Sequence, residues 1–410
     1  MQPSARLAAA IDVLDEAIDS ARKGGAAADV LLAHYFRSRR YAGSKDRAAV
    51  RGHVYAVLRH MAHDAPSGRA ALIAFAKAHE PELLALFGAG GHAPAGLTPE
   101  EQAMASDTSA LWLPEWLEAR FARRFGDRWP EHRRGLMGRA PLDLRVNSLK
   151  ATREAAVAAL RGEGIDAVPL PFIDNGLRTD AGAPVEKSEA FADGLVEVQD
   201  LSSQLMVALA GAQPGDTVVD LCAGAGGKTL GLAASMKNQG RIIACDIDPA
   251  RLERMTPRLK RAGVRIAEQQ VLRPGSLDAL RQQADCVAID APCTGTGTWR
   301  RNPEARLRLT EDRLAAITAV QDDVLEQGAA LVKPGGRLIY AVCSLLPDEA
   351  EDRAEAFGQR HPEFRLVDYK SRLADSTLPE TVALRREYLA VAPASHGCDG
   401  FFVAVYERVC

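Results

Sequence analysis

Two cysteines that close apolar runs, Cys293 and Cys343, are the residues best suited to covalent chemistry in this 410-residue chain. Cys293 follows Asp290, Ala291 and Pro292 and precedes Thr294, Gly295, Thr296 and Gly297, whereas Cys343 follows Tyr340, Ala341 and Val342 and precedes Ser344. One strand-end cysteine is ordinarily a small core residue. Two of them beside a glycine-rich loop suit a thiolate nucleophile and a covalent intermediate.

That loop is Cys222, Ala223, Gly224, Ala225, Gly226, Gly227, Lys228 and Thr229, set between an apolar strand and a helix. Its glycines let the backbone approach a ligand, and the helix amino terminus offers unpaired N–H groups. A phosphate-cradling loop would need glycine where Cys222 stands. A dinucleotide fingerprint would need its third glycine where Thr229 stands. A loop whose backbone meets the amino-acid moiety of S-adenosylmethionine meets neither obstacle, and a purely structural turn stays open beside it. Asp246 and Asp248 follow about twenty residues after the glycines, where a carboxylate can accept both hydroxyls of an adenosine ribose. Asp248 suits a helix cap before Pro249, which leaves the ribose to Asp246.

These residues need a scaffold. Thr217 to Leu221, Arg241 to Cys245, Cys286 to Ile289 and Arg337 to Tyr340 read as strands, separated by helical stretches such as Pro249 to Arg261 and Glu311 to Val332. Strands alternating with helices imply an α/β, doubly wound, mainly parallel sheet with its ligand site at the carboxyl ends of the strands. Upstream, Leu142, Leu144 and Val146 alternate as a half-buried strand before a helix from Thr152 to about Arg161 that Gly162 and Gly164 end, a small α/β module. The first 125 residues or so read as helices. Leu7, Ile11, Leu14 and Ile18 recur at helical spacing, as do Val50, Val54, Val57, Leu58 and Met61 after a cap at Ser44; Thr98, Pro99 and Glu101 form a capping box. The expected division is therefore residues 1–127, helical; 128–195, the small module; and 196–410, the doubly wound domain.

Composition bounds the function. The chain is 47% hydrophobic and 26% charged, unlike a disordered protein. It has no run of 18 or more apolar residues, and Asp12, Asp15, Glu16 and Asp19 stand where a secretory leader needs an apolar core, so a cytoplasmic protein with no membrane partner is expected. Seven cysteines without a C-x-x-C pair argue against a disulfide framework and a zinc site, and no metal is expected. A net charge of −3 argues against a generic polycation. Yet Arg37, Arg39, Arg40, Lys45, Arg47, Arg51 and Arg59 cluster around the single acid Asp46, and a second basic cluster runs from Arg120 to Arg139. Localised charge of this kind suits phosphate contacts, with solvated helix faces as the plainer explanation.

The glycine loop, the Asp290 to Cys293 segment with its Thr-Gly-Thr-Gly sequel, the Val342, Cys343, Ser344 strand end with Pro347 and Glu349, and the terminal Asp399, Gly400, Phe401 and Phe402 together resemble the RsmB/Nol/Sun family of RNA cytosine-5 methyltransferases. The resemblance covers about residues 140 to 408, and its motifs are highly specific in order and spacing. Val198, Gln199, Asp200 and Ser203 are similar to the family's lead-in to the methyltransferase core, and the helical region resembles the NusB-like RNA-binding domain of the bacterial ribosomal RNA members. The resemblance implies a Rossmann-like class I methyltransferase domain and S-adenosylmethionine held by Cys222 to Lys228, Asp246 and Asp290. It further implies Cys343 as nucleophile at cytosine carbon 6, with Cys293 assisting proton removal or product release. Asp290 would stabilise the nitrogen 3 side of the base, and Lys228 would lower a thiol pKa or orient the substrate. Arg300 and Arg301 would contact phosphates beside a flipped base, and Arg47 and Arg51 would dock RNA.

Two departures stand out. Gly224 and Ala225 replace the family's usual Ala-Pro, a change that backbone contact tolerates. Val271 and Leu272 replace its Gly-Asp, so adenine recognition would rest on apolar packing. The expected protein is a monomeric enzyme acting on ribosomal RNA of the small subunit. Transfer RNA is the alternative substrate. Were DNA the substrate, the Pro-Cys thiol Cys293 would become the nucleophile. A catalytically idle RNA-binding assembly factor is the alternative outside enzymes, and the presence of both cysteines weighs against it.

Overall fold

The computed structural model describes residues 1–103, 112–373 and 377–409, so that Cys410 lies outside them. The chain divides into two units, Met1–Ala122 with Leu136–Gly138 and Thr298–Glu311, and Arg123–Gly135 with Arg139–Gly297 and Asp312–Cys410. The contiguous division expected from sequence is thus interrupted: residues 298–311 belong with the helices and not with the sheet that precedes and follows them.

In the helical unit, Pro3–Arg22, Ala28–Arg37, Ser44–His60 and Gly68–His79 bury the expected apolar faces, including Leu7, Leu14, Val50, Val54, Val57 and Leu58. The third helix is capped at Gly43, whose N–H donates to Asp46, and not at Ser44. Thr98 and Glu101 form both bonds of the capping box. The inserted segment completes this unit. Trp299, 1% exposed, meets Trp112 and Phe121 edge-on or tilted at 5.7 and 5.6 Å. The Arg306 guanidinium is buried and donates to the carbonyls of Leu58, Met61 and Trp112, so one cation satisfies three backbone acceptors that would otherwise be stranded.

The other unit holds two sheets. The smaller is antiparallel, with strands β1 (Leu142–Val146), β2 (Ala167–Pro169), β3 (Gly176–Thr179) and β4 (Val196–Val198) in the order β2-β3-β1-β4. The larger comprises β5 (Thr217–Leu221), β6 (Arg241–Asp246), β7 (Ala267–Val271), β8 (Ala284–Asp290), β9 (Val332–Val342), β10 (Phe364–Val367), β11 (Leu389–Val391) and β12 (Phe401–Arg408). Its order is β10-β12-β9-β8-β5-β6-β7, with β11 paired to β12. The strands β7, β6, β5, β8 and β9 run parallel, and β12 pairs antiparallel with β9.

Period-2 alternation sends Val219, Leu221, Val287 and Ile289 into the core on one face, and Val218, Ile242, Cys286 and Ala288 into the core on the other. Both faces are covered, as a parallel sheet requires. The chain runs outward from β5 in both directions, to β6 and to β8. The ends of these strands therefore flank a crevice where such sheets bind ligands.

Candidate active site

The glycine loop leaves β5 through Cys222, which adopts a left-handed conformation at φ 72°, as do Gly224 and Gly226. At Gly226 a side chain is excluded twice over: φ is 83°, and an added Cβ would lie 2.4 Å from Met255 Cγ. The backbone therefore reaches the start of the helix Gly227–Ser235 without side chains in the way.

Asp246 ends β6 at 2% exposure and accepts the N–H groups of Gly224 (2.8 Å) and Asp248 (2.9 Å). The carboxylate expected to hold the ribose thus also pins the glycine loop, and each oxygen retains a lone pair for a ligand hydroxyl. Asp248 caps the helix Pro249–Ala262 through Ala250 N–H. Beyond these strand ends lies a cavity of about 440 Å³ lined by Ile247, Leu272, Pro274, Leu277 and Asp278 among others. Ile247 is 77% exposed beside it. Apolar walls stand where the sequence lacks the Gly-Asp pair, and they suit a flat heteroaromatic ring.

On the other side of β5, Lys228 forms an ion pair with Asp290 at the end of β8. Burial alone would lower the lysine pKa, but the charge and hydrogen bond of Asp290 carry it above the ordinary value. Cys293 Sγ lies 3.1 Å from Cys343 Sγ. The hydrogen bond to Cys343 and then burial push the Cys293 thiol well above its usual range. Cys222, by contrast, is held near 12 by burial, as is Cys245, and Cys286 near 11. Cys245 and Cys286 are core thiols, and Cys222 is half-buried at the start of the loop.

The terminal motif joins the same edge. Gly400 N–H donates to Gly297 O at 2.9 Å, an approach so close that a Cβ on Gly297 would sit 1.9 Å from Gly400 O. Phe401 then places its ring 5.7 Å from Lys228 Nζ. Gln199, in the lead-in segment, accepts from the buried Arg145 and donates to Gly227 O, which ties the smaller sheet to the loop.

The structure brings Cys222 to Lys228, Asp246, Asp290, Cys293 and Cys343 to one edge of the sheet. Arg47 and Arg51 lie on the exposed face of the helix Ser44–His60, although Arg47 Nε is already spent on Ala42 O. Arg300 departs from expectation. It is 4% exposed within the helical unit, a burial at odds with a phosphate contact, and Arg301 is half-buried. Three arginines of the second basic cluster are paired: Arg123 with Asp352, Arg124 with Glu351 and Arg128 with Glu131, of which only the Arg124 pair is buried. Two further acids join the site, Asp220 within β5 and Glu349 after the Cys343 strand end. Asp220 is fully buried at the end of β5, accepts from Thr229 Oγ1, and has its carboxyl pushed up to about 7 by burial. A lone acid in an apolar strand was the available signal. Glu349 lies in a Pro-Asp-Glu run that reads as a solvated helix start.

A central β5 with a glycine loop, an acid ending β6, and the order β10-β12-β9-β8-β5-β6-β7 define a Rossmann-like class I methyltransferase, the S-adenosylmethionine-dependent class. Residues 206–407 match the family described as 16S rRNA methyltransferase RsmB/F, and residues 113–186 match its RsmF/B-like, ferredoxin-like domain. The chain belongs to the RsmB/F methyltransferase family. Ribosomal RNA small subunit methyltransferase B of Salmonella arizonae is 33% identical over 294 residues, 71% of this chain and 65% of that protein, and the Salmonella typhi protein of the same name gives the same values. The match thus spans less than two thirds of these relatives. A methyltransferase homolog from Pyrococcus horikoshii is 26% identical with a TM-score of 0.63, covering 72% of this chain and 95% of its own. NSun6 from Pyrococcus horikoshii, solved with SFG, shares the fold at 20% identity and a TM-score of 0.65, covering 73% and 99%. Among the described residues no helix is long and apolar enough to cross a membrane, and no group of three or more His, Cys, Asp or Glu could hold a metal.

Proposed function

We propose that the protein methylates carbon 5 of a cytosine in RNA, with small-subunit ribosomal RNA as substrate, through a covalent adduct between Cys343 and carbon 6. The observation that carries this is the pair of thiols in contact, Cys293 and Cys343, beside the Lys228–Asp290 ion pair and the glycine loop. When bound, S-adenosylmethionine supplies an electrophilic methyl group. The backbone of Cys222 to Gly227 would hold its amino-acid part, Asp246 its ribose, and the cavity at Ile247 and Leu272 its adenine.

Carbon 5 of cytosine is a poor nucleophile until a thiolate adds at carbon 6. The hydrogen bond to Cys343 and burial raise the Cys293 thiol and so favour its protonated form, which supports assigning the addition to Cys343. As the Cys343 sulfur bonds to carbon 6, ring electrons move toward nitrogen 3, and the proton held between Lys228 and Asp290 stabilises that charge. After methylation the carbon 5 proton leaves to water, the carbon 5–carbon 6 double bond re-forms, and Cys343 departs as thiolate. The Cys293 thiol hydrogen-bonds the departing sulfur. The base must be unpaired or extruded to enter, and Arg301, Arg51 and Arg47 supply phosphate contacts.

The test is transfer of labelled methyl from S-adenosylmethionine into fractionated cellular RNA, followed by nucleoside analysis. Label in 5-methylcytosine of small-subunit ribosomal RNA is the expected result. Label in transfer RNA would change the substrate, and no label in any RNA would leave an assembly factor.

A further inference from the structure

We propose that Glu349 is a positioning residue for the two thiols: its buried carboxylate fastens the turn after Cys293 to the strand end that carries Cys343 and so sets the separation of the sulfurs. Glu349 is 0% exposed. Its Oε1 accepts Thr294 N–H at 2.8 Å and Gln321 Nε2 at 3.1 Å, and its Oε2 accepts the hydroxyls of Thr294 and Ser344. Thr294 and Ser344 each directly follow a thiol-bearing residue, and the two thiols are 50 positions apart in the chain. One side chain therefore bridges two segments that nothing in the local sequence would hold together. Its own backbone is fixed in turn, because Tyr340 Oη donates to Glu349 O at 2.5 Å.

All four donors are neutral. Burial raises the Glu349 carboxyl above its ordinary range, and since replacing such a buried group by an apolar one is often neutral or stabilising, its four converging bonds are assigned to geometric definition. The surrounding bonds continue the clamp: Thr296 Oγ1 accepts Leu345 N–H at 2.8 Å and lies 3.0 Å from Ser344 Oγ, and Gly297 N–H donates to Cys343 O at 3.0 Å. The significance of the clamp for turnover rests on the proposed cysteine chemistry, whereas its effect on the sulfurs does not.

The test uses the full chain and a reporter that needs no RNA. The thiol-specific diazene diamide accepts the two electrons and two protons of Cys293 and Cys343, becoming a hydrazine as the disulfide forms. Mass spectrometry of the cross-linked peptide gives the rate. Glu349→Gln places an amide against Thr294 N–H and should slow cross-linking about tenfold or more, since small displacements of reacting atoms cost rate steeply. Methyl transfer should lose kcat with the RNA KM unchanged. Ser344→Ala, which removes one tie, should slow cross-linking by a smaller factor, and it decides the matter together with Thr294→Val if Glu349→Gln does not fold. A cross-linking rate equal to that of the unaltered chain, with or without a lower melting temperature, would make Glu349 merely structural and overturn the proposal. An unaltered chain that cross-links readily yet methylates no cytosine would instead overturn the proposed function and leave the clamp standing.

Discussion

Cys343 Sγ lies 3.1 Å from Cys293 Sγ, closer than two sulfurs approach without a shared proton or a bond. One thiol is thereby the donor and the other the acceptor, and the two cannot exchange roles without reversing the bond. Cys343→Ala should therefore lower methyl transfer by about 10³-fold or more, as removal of a nucleophile does. Cys293→Ala should accumulate a protein–RNA adduct visible as a shifted band on a denaturing gel. A shifted band in Cys343→Ala and none in Cys293→Ala would reverse the assignment.

The two acids after β6 make separable contributions. Asp246→Ala should weaken S-adenosylmethionine binding by about 1–3 kcal/mol, the loss expected for a charged acceptor, since it removes a ribose partner and releases Gly224 N–H together. Asp248→Ala should cost about 1 kcal/mol of stability through the lost cap and leave cofactor affinity unaltered. Calorimetric titration and thermal melts decide both. A normal dissociation constant for Asp246→Ala beside a weakened Asp248→Ala would move the ribose role to Asp248.

RNA docking by the helical unit is tested at Arg40 and Arg51, both exposed; Arg47 serves poorly because its Nε caps Ala42 O. The lone acid of this cluster, Asp46, is buried and paired with Arg6 and the amino terminus, so it offers RNA no repulsion. Reversal of Arg40 and Arg51 to glutamate should weaken RNA binding and lower the salt slope by about 2, one for each phosphate no longer neutralised. Cofactor affinity should hold. Equal slopes for both proteins would reduce the cluster to a solubility feature.

Asp220 gives the protein a pH signature. Its folded pKa of about 7 exceeds the unfolded value of 3.8, so the stability it contributes is complete below pH 3.8 and disappears as pH rises through 7. The span corresponds to roughly 4 kcal/mol at about 1.4 kcal/mol per unit. Asp220→Asn keeps an acceptor for Thr229 and should remove that decline between pH 4 and 7 in denaturant titrations. An unaltered pH slope in the variant would mean that Asp220 titrates as an ordinary carboxylate.

Local signals carried far where chemistry and geometry coincide. β5 spans Thr217–Leu221 as its apolar run dictates, and Asp248, Pro249 and Gly263 bound the helix between them as cap, first-turn proline and left-handed terminus. β7 was not legible, because Ala267–Val271 is a polar edge strand without alternation. β9 begins at Val332, five residues before the expected Arg337, because the Lys-Pro-Gly-Gly run that looks like a turn is accommodated by an irregular register between Ala284 and Cys286. Among site residues, the motif cysteines, Lys228 and the two aspartates announced themselves by position. Glu349 did not, since its partners Thr294, Gln321 and Ser344 are scattered along the chain and only folding makes them neighbours. Arg300 misled because charge in a sequence looks exposed, while Trp299 and Arg306 beside it are core.

The segment from Thr298 to Glu311 imposes an order in time on the making of this protein. The helices from Pro3 to His79 leave the ribosome first, yet Leu58 and Met61 must wait for Arg306, and Ala28 N–H for Glu304, until β8 has already been synthesised. The nascent amino-terminal region should therefore lack its last layer until residues 298–311 emerge, and residues 1–127 taken alone should be less stable than within the full chain. Limited proteolysis should cut that fragment readily at sites the full chain protects, and adding residues 298–311 in trans should slow the cleavage.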